Sequence, residues 1–268
     1  MLTAPRAEPA SAAADGVELL LGALHSSARP RIPFDPAVLA LLEDLSAELM
    51  RGPGARAHPD VHTFAFWCRR ANLQRLAAEH EDGRARLGLG LVFHVAPGNV
   101  PVNFAFSLAF GLLAGNANIV RAPSRPMEQL DRIRDALETV LSRPERADLA
   151  ELVTLVRYPA GHGFTADISA RADGRVIWGG DETVKTLRAL PTPPRAREVC
   201  FPDRYSFCVM EADAVMAAEE SALRRLADGF YNDTYLMDQN ACSSPHLVVW
   251  RGTRDAARAA RSRFWDAL

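Results

Sequence analysis

Short apolar runs alternate with helix-like stretches between residues 87 and 190, and this alternation constrains the fold more than any other feature. Brief apolar runs bounded by turn residues are typical of buried parallel strands. Strands separated by helices predict βαβ units, and hence an α/β fold with a mostly parallel sheet and flanking helices. The predicted strands lie in LGLGLVFHVAP (87–97), Asn118–Arg121, Leu152–Tyr158 and Arg175–Trp178, and the predicted helices are Val102–Leu113, Ser124–Ser142 and Glu182–Leu190.

Four regions are predicted along the chain. They are a disordered tail rich in Ala, Pro and Ser (1–16), a helical lead-in (17–85), an α/β domain (86–197) and a second, partial domain (198–268). Asp35 followed by Pro36 is a helix-start signal in the lead-in. The α/β domain contains a turn-rich segment, 161–173, and ends in a proline-rich linker, 191–197. A strand at Tyr205–Met210, a helix at Ala212–Phe230, a polar loop and a strand at His246–Trp250 follow.

Composition excludes several classes of protein. The 268 residues carry 31 basic and 33 acidic side chains, a net charge of -2, whereas a nucleic-acid-binding protein would have a basic excess. The most apolar run, 100–114, is too short to span a membrane, and the amino terminus lacks the pattern of a signal peptide. Four cysteines without metal-ligand spacing indicate reduced thiols and a cytoplasmic protein. Lys185 is the single lysine, so a GxxxxGK[ST] phosphate loop is excluded.

Three strand-to-helix turns carry candidate binding residues, because ligands bind at the carboxyl ends of parallel strands. Asn99 in HVAPGNVP could donate its amide N–H to an oxyanion, or it could simply cap the next helix. Arg121 and Ser124 in NIVRAPSRP suit phosphate recognition, or are a solvated arginine and a capping serine. Gly179 and Gly180 in VIWGGDET let a phosphate approach the backbone closely, or form an ordinary turn.

The loop DQNACSSPH, 238–246, holds a candidate nucleophile. Cys242 lies in a polar loop, where a reactive thiol is more expected than in an apolar run; an inert loop cysteine is the alternative. Ser243 and Ser244 are weaker candidates without a GxSxG elbow, and His246 is either a base or the solvent-facing start of a strand. His58 and His62 have the spacing of a metal pair but no third ligand, so no metal site is predicted.

Taken together, these stretches resemble the aldehyde dehydrogenase superfamily and, within it, the LuxC-type acyl-CoA reductases. The resemblance spans roughly residues 60–250. It is carried by FWCRRANL (66–73), APGNVPVNFAFSLAFGLLAGNANIVRAPS (96–124), VIWGGDET (176–183), FPDRYSF (201–207) and FYNDTYLMDQNACSSPHLVVW (230–250).

The resemblance implies NADPH-dependent reduction of a long-chain acyl-CoA, or of an acyl-protein thioester, to the aldehyde, as in bacterial bioluminescence. Cys242 takes the position of the nucleophile and Asn99 that of the oxyanion donor. The cofactor-binding positions fall on Pro97, Arg121, Ser124, Gly179 and Gly180, which assigns residues 86–197 to an NADP-binding domain and 198–268 to part of a catalytic domain. Arginine at position 121 is compatible with the 2′-phosphate of NADPH.

Two departures from the superfamily pattern shape the expectations. The general-base glutamate of hydrolytic aldehyde dehydrogenases is replaced by Phe201, with Glu198 nearby, which favours reduction over hydrolysis. Only 26 residues follow Cys242, so the chain looks truncated at its carboxyl end.

Several functional readings remain open from the sequence. They are the reductase, an inactive cofactor-binding fragment, and a CoA-acylating aldehyde dehydrogenase for shorter acyl groups. Two assemblies also stay open, a homo-oligomer and a complex with an acyl-transferring partner protein.

Overall fold

Residues 16–24, 29–51, 57–236 and 238–268 are described by a computed structural model. The chain divides into two compact units, the first ending at Pro202 and the second beginning at Asp203. Apart from Gly16, the predicted tail 1–16 lies outside the described residues. No helix of the described ranges is long and apolar enough to cross a membrane.

A six-stranded sheet forms the centre of the first unit, with the order β1-β4-β3-β2-β5-β6. All neighbouring pairs are parallel except β1 with β4, which confirms the predicted mostly parallel sheet. Every residue of β2 is buried, as expected for a parallel strand covered on both faces. The strands are β1 (Glu18–Leu21), β2 (Leu91–Val95), β3 (Ala117–Arg121), β4 (Val153–Arg157), β5 (Gly174–Trp178) and β6 (Arg197–Phe201).

Eight α-helices are described in the first unit, and the first of them begins where the sequence predicts. Asp35 is its N-cap, and the carboxylate accepts a hydrogen bond of 2.8 Å from the Ala37 amide. The helices are α1 (Pro36–Leu49), α2 (Pro59–Trp67), α3 (Arg70–His80), α4 (Asn103–Leu113), α5 (Glu128–Leu141), α6 (Ala147–Ala150), α7 (Phe164–Ser169) and α8 (Asp181–Arg188).

The predicted helical lead-in is wrong at its start, where β1 is a strand. The run Glu18–Leu21 pairs with the outer edge of β4, and Glu18 forms an ion pair of 3.2 Å with Arg157. Three successive leucines fit a helix or a strand equally well, so the open edge of β4 decides the outcome.

Three other boundaries also differ from the predictions. Helix α5 begins at Glu128 instead of Ser124, because Pro126 disfavours helical geometry at the residue before it. Helix α7 lies inside the segment predicted to be turns, with Phe164 and Ile168 buried at helical spacing. Strand β6 pairs with β5, so the sheet continues past the predicted boundary at residue 198.

The second unit has two parallel strands and three helices, β7 (Ser206–Glu211), α9 (Ala212–Ala217), α10 (Glu220–Thr234), β8 (Pro245–Arg251) and α11 (Arg254–Ala267). The single helix predicted for 212–230 is therefore two helices. The Arg263 guanidinium accounts for the break, because it donates hydrogen bonds to the carbonyls of Val215, Met216 and Ala218 at the end of α9. A core that includes Leu223, Phe230 and Phe264 holds the helices against the strands.

Two helical glycines give opposite predictions. A Cβ on Gly111 of α4 would lie 2.0 Å from Asn118 Oδ1, whereas a Cβ on Gly229 of α10 meets nothing within 4 Å. We expect Gly111→Ala to lower the free energy of unfolding by about 1–3 kcal/mol through overpacking. Gly229→Ala should raise it by about 0.5–1 kcal/mol through helix propensity. Urea unfolding followed by circular dichroism measures both, and equal effects would contradict the packing argument.

Candidate active site

The turn after β2 places Asn99 at the carboxyl edge of the first unit's sheet. Asn99 is exposed, and Arg125 holds the turn by donating a hydrogen bond of 2.8 Å to the Gly98 carbonyl. The N-cap position of α4 is Val102, which makes no side-chain capping bond. Asn99 therefore does not hold the cap position that the simpler interpretation assigned to it. Pro97, in the same turn, is half-buried.

Arg121 and Ser124 meet at the end of the neighbouring strand, β3. Arg121 donates a hydrogen bond of 3.2 Å to the Tyr158 carbonyl and lies over the Tyr158 ring, 4.9 Å from its centroid. The Ser124 hydroxyl donates to the same carbonyl at 3.4 Å, so it does not cap a helix. The buried Nε of Arg121 has no hydrogen-bond partner within the described ranges. Such an orphan donor is a feature that a bound anion would satisfy.

Gly179 and Gly180 link β5 to α8 on the other side of β2. Gly180 is the N-cap of α8, and a Cβ there would meet nothing within 4 Å, so the helix start is open to a ligand. Because β2 lies between β3 and β5, the three turns stand side by side at one edge of the sheet. Asp181 and Glu182 are exposed in the first turn of α8, where their charges weaken the attraction of this helix end for an anion.

A buried chain of hydrogen bonds runs beneath this edge. Trp178 Nε1 donates to Ser107 Oγ at 3.1 Å, Ser107 lies 2.8 Å from His94 Nδ1, and His94 Nε2 lies 3.0 Å from Asn118 Oδ1. The Asn118 amide nitrogen donates to two backbone carbonyls, so its oxygen must accept from His94. His94 is therefore protonated on Nε2, and the Ser107 hydroxyl donates to Nδ1. Burial lowers the pKa of His94 to about 4, and the bond to Asn118 opposes that shift only in part.

The structure removes Glu198 as a candidate general base at this edge. Its carboxylate forms ion pairs with Arg175 and with Arg188, the latter at 2.8 Å. Glu198 also lies near the amino end of β6, away from the three turns. At the carboxyl end stands Phe201, whose ring stacks on Trp178 with centroids 3.8 Å apart and planes 10° apart.

Cys242 differs from the other three cysteines by being exposed. Burial raises the pKa of the Cys68, Cys200 and Cys208 thiols, which favours their protonated form. The Cys242 backbone is held by Ser206, whose hydroxyl donates a hydrogen bond of 2.6 Å to the Cys242 carbonyl.

The loop before Cys242 is conformationally strained. Asp238 and Gln239 both have positive φ angles, 50° and 58°, which non-glycine residues rarely adopt. Strain of this kind concentrates at functional sites and persists where the surroundings impose it.

Two of the rival groups near Cys242, Ser244 and His246, contact other residues, whereas Ser243 is exposed. The Ser244 hydroxyl is buried and donates a hydrogen bond of 3.0 Å to the Asp233 carbonyl, which argues against a nucleophilic role. His246 is exposed and stacks on Tyr205 with centroids 5.3 Å apart. In the other unit, His58 lies 3.4 Å from the Glu128 carboxylate, and within the described ranges no three potential ligands gather around a metal position.

Comparison with known proteins identifies the family. The family described as acyl-CoA reductase (LuxC) matches residues 65–260, which include all three turns and the Cys242 loop. The chain belongs to the acyl-CoA reductase (LuxC) family.

Curated relatives of this acyl-CoA reductase (LuxC) family protein are distant. The long-chain acyl-protein thioester reductase of Aliivibrio fischeri is 25% identical over 166 residues, which is 61% of this chain and 32% of the relative. The protein of the same name from Vibrio harveyi is 24% identical over 62% of this chain and 33% of its own length. The match thus spans about a third of these relatives.

Solved structures support the aldehyde dehydrogenase fold. A lactaldehyde dehydrogenase aligns with a TM-score of 0.61 and 14% identity, covering 87% of this chain and 52% of that chain. A putative aldehyde dehydrogenase from Burkholderia cenocepacia aligns with a TM-score of 0.59 and 18% identity, covering 87% and 49%. The predicted aldehyde-dehydrogenase-like fold is therefore confirmed.

The buried His94 predicts a pH dependence of stability for this LuxC-family chain. The pKa of His94 is about 4 when folded and 6.5 in its unperturbed state, so the unfolded chain binds the proton more readily. The contribution of His94 is complete above pH 6.5 and is lost as the pH falls toward 4, by about 3 kcal/mol. Chemical unfolding from pH 7.5 to 4 should show a smaller loss for His94→Gln than for the wild type. If both proteins lose the same free energy of unfolding over this pH range, the lowered pKa assigned to His94 is wrong.

Proposed function

We propose that this chain carries the cofactor-binding and cysteine-bearing parts of a reductase that converts a long-chain acyl thioester, such as an acyl-CoA, to the aldehyde with NADPH. The observation that carries the proposal is Cys242, the exposed cysteine on a strained loop inside the family-matched region. The names of the curated relatives support an acyl thioester as the substrate class.

In the first half-reaction, the Cys242 thiolate attacks the acyl carbonyl carbon. A new carbon–sulfur bond forms, the bond to the CoA sulfur breaks, and CoA leaves as a thiolate. From the resemblance, the Asn99 amide is proposed to donate a hydrogen bond to the carbonyl oxygen on which negative charge develops. Loss of one such donor typically costs about 100- to 1000-fold in rate.

The residues of the first unit fit a nicotinamide cofactor. The Nε of Arg121, which has no hydrogen-bond partner in the described part of the chain, and the open helix start at Gly180 are suited to phosphate groups. Ser124 and Pro97 lie beside them at the same edge. Because Asp181 and Glu182 oppose an anion at α8, the positive charge of Arg121 and Arg125 gains importance. When bound, the reduced cofactor would supply one hydride to the carbonyl carbon of the enzyme thioester. The carbon–sulfur bond would then break, releasing the aldehyde and restoring the Cys242 thiolate.

The residues around the edge support the proposed reductive direction. Phe201 replaces a carboxylate at the end of β6, and both Arg175 and Arg188 hold Glu198 in ion pairs. Neither residue can activate water there, so an acyl-enzyme would survive until hydride transfer. One alternative that the acylation test separates from this proposal is a cofactor-binding chain without acylation activity.

Acylation of Cys242 provides the direct test. Intact mass spectrometry after mixing with tetradecanoyl-CoA should detect one acyl adduct on the wild type and none on Cys242→Ala. Cys208→Ala is the matched control, because Cys208 is a cysteine of the same unit whose thiol pKa is raised. It should retain the adduct. A folded wild type that binds NADPH but takes up no acyl group would favour the non-catalytic alternative.

Arg121 should decide between NADPH and NADH. A hydrogen bond to a charged group contributes about 1.5–3 kcal/mol, so Arg121→Gln should weaken NADPH binding roughly 10- to 100-fold. NADH, which lacks the 2′-phosphate, should bind nearly as before. Arg84→Gln, which removes an exposed arginine paired with Asp82, is the control. Equal losses for both cofactors in a fluorescence titration would remove Arg121 from this role.

A further inference from the structure

An apolar cleft of about 290 Å³ lies on the first unit's sheet, on the side covered by α4. Its walls are formed by Phe110 of α4, Val176 and Trp178 of β5, and Val199 and Phe201 of β6. Alternation along β5 turns Val176 and Trp178 toward the cleft, while the Arg175 side chain turns to the opposite face and bonds the Leu187 carbonyl of α8 at 2.8 Å.

One end of the cleft is lined by residues at the proposed reactive edge. The stacked rings of Trp178 and Phe201 are the last residues of their strands, and β5 lies beside β2, whose end leads to Asn99. The other end is reached at Gly174 and Arg197, the first residues of the same strands. At about 3.3 Å per residue, the cleft follows the strands for roughly 13 Å.

The floor of the cleft contains the polar side chains of His94, Ser107 and Asn116, and each of them already has a hydrogen-bond partner within the protein. Ser107 accepts from Trp178 and donates to His94, which donates to Asn118. The Asn116 side chain accepts from the Leu89 amide at 2.7 Å. Between its two ends the cleft therefore offers a ligand apolar walls and neutral polar groups, which suits an alkyl chain, and the charged Arg197 stands at the end near Gly174.

We propose that this cleft binds the alkyl chain of the acyl substrate, with the thioester at the carboxyl edge and the methyl end toward Gly174. The inference rests on the proposed function and extends it, because it assigns chain-length selection to Val199, Val176 and Phe110. Each methylene buried in an apolar site should strengthen binding roughly 3- to 4-fold until the cleft is full.

Val199 is the position to test, because it is 50% exposed and a larger side chain there fills the cleft without disturbing the core. Val199→Trp is paired with Val209→Trp, a valine on strand β7 that is 51% exposed and outside the cleft lining. Both are made in full-length Cys242→Ala, so that binding is measured without acylation. Calorimetric titrations use acyl-CoAs from butanoyl to tetradecanoyl, below their micelle concentrations.

With an unmodified cleft, affinity should rise with each methylene until the cleft is full and then level off. Val199→Trp should abolish this rise for the longer chains, with a loss of roughly 10-fold or more for tetradecanoyl-CoA, and leave butanoyl-CoA unaffected. Val209→Trp should behave as its parent. If affinity is independent of chain length, or if the two tryptophan variants behave alike, the proposal is overturned and the apolar walls are better explained as a surface covered by polypeptide.

This result is separable from the test of the proposed function. A chain-length dependence that Val199→Trp removes, in a protein that never acylates Cys242, supports the cleft and contradicts the reductase. Normal acylation of Cys242, with no effect of Val199→Trp on binding, supports the reductase and contradicts the cleft.

Discussion

A chain of four hydrogen-bonded side chains fixes the geometry of the first unit's sheet beneath its proposed ligand-binding edge. Asn118, His94, Ser107 and Trp178 belong to β3, β2, α4 and β5, so the chain ties three strands to the helix that covers them. Buried polar groups are tolerated when each has a partner, and they then specify one arrangement of the elements. Gly111 is part of the same arrangement, because a larger residue would occupy the space of the Asn118 oxygen.

The two candidate centres are held in different ways. At the sheet edge, Asn99, Arg121 and Gly180 follow buried parallel strands, so the packing of the whole sheet determines where they stand. Cys242 lies on a loop instead, and a few local interactions fix it, notably the Ser206 hydroxyl on its carbonyl and the left-handed pair Asp238 and Gln239. Binding and catalytic residues often lie on loops that a rigid scaffold positions.

The sequence predicts the repeating part of the fold and misses what tertiary contacts decide. Strands β2 to β5 and helix α4 follow from apolar runs and turn residues, because burial dictates both the pattern and the structure. Strand β1 depends on the free edge of β4, and the break between α9 and α10 depends on Arg263, which lies some 45 residues away in the chain. Neither partner is visible in a local window.

The candidate site also has residues that the sequence predicts and interactions that only tertiary contacts decide. Motifs locate Asn99, Arg121, Gly180 and Cys242, and the resemblance supplies their proposed roles. The pairing of Glu198 with two arginines, and the chain from Trp178 to Asn118, depend on which residues face each other across strands and helices. The local sequence signal of this series of hydrogen bonds is His94, a histidine within an apolar run.

Arg263 and Phe264, both in helix α11, bear on the order in which the second unit forms. Phe264 packs edge-on against Phe230 of α10 and against Trp250 of β8, the two elements that flank the cysteine loop. Because these anchors come after the loop in the chain, a ribosome exposes Cys242 before it releases the residues that hold its surroundings in place. The proposed nucleophile therefore leaves the ribosome before helix α11, which packs against both of the elements that flank its loop.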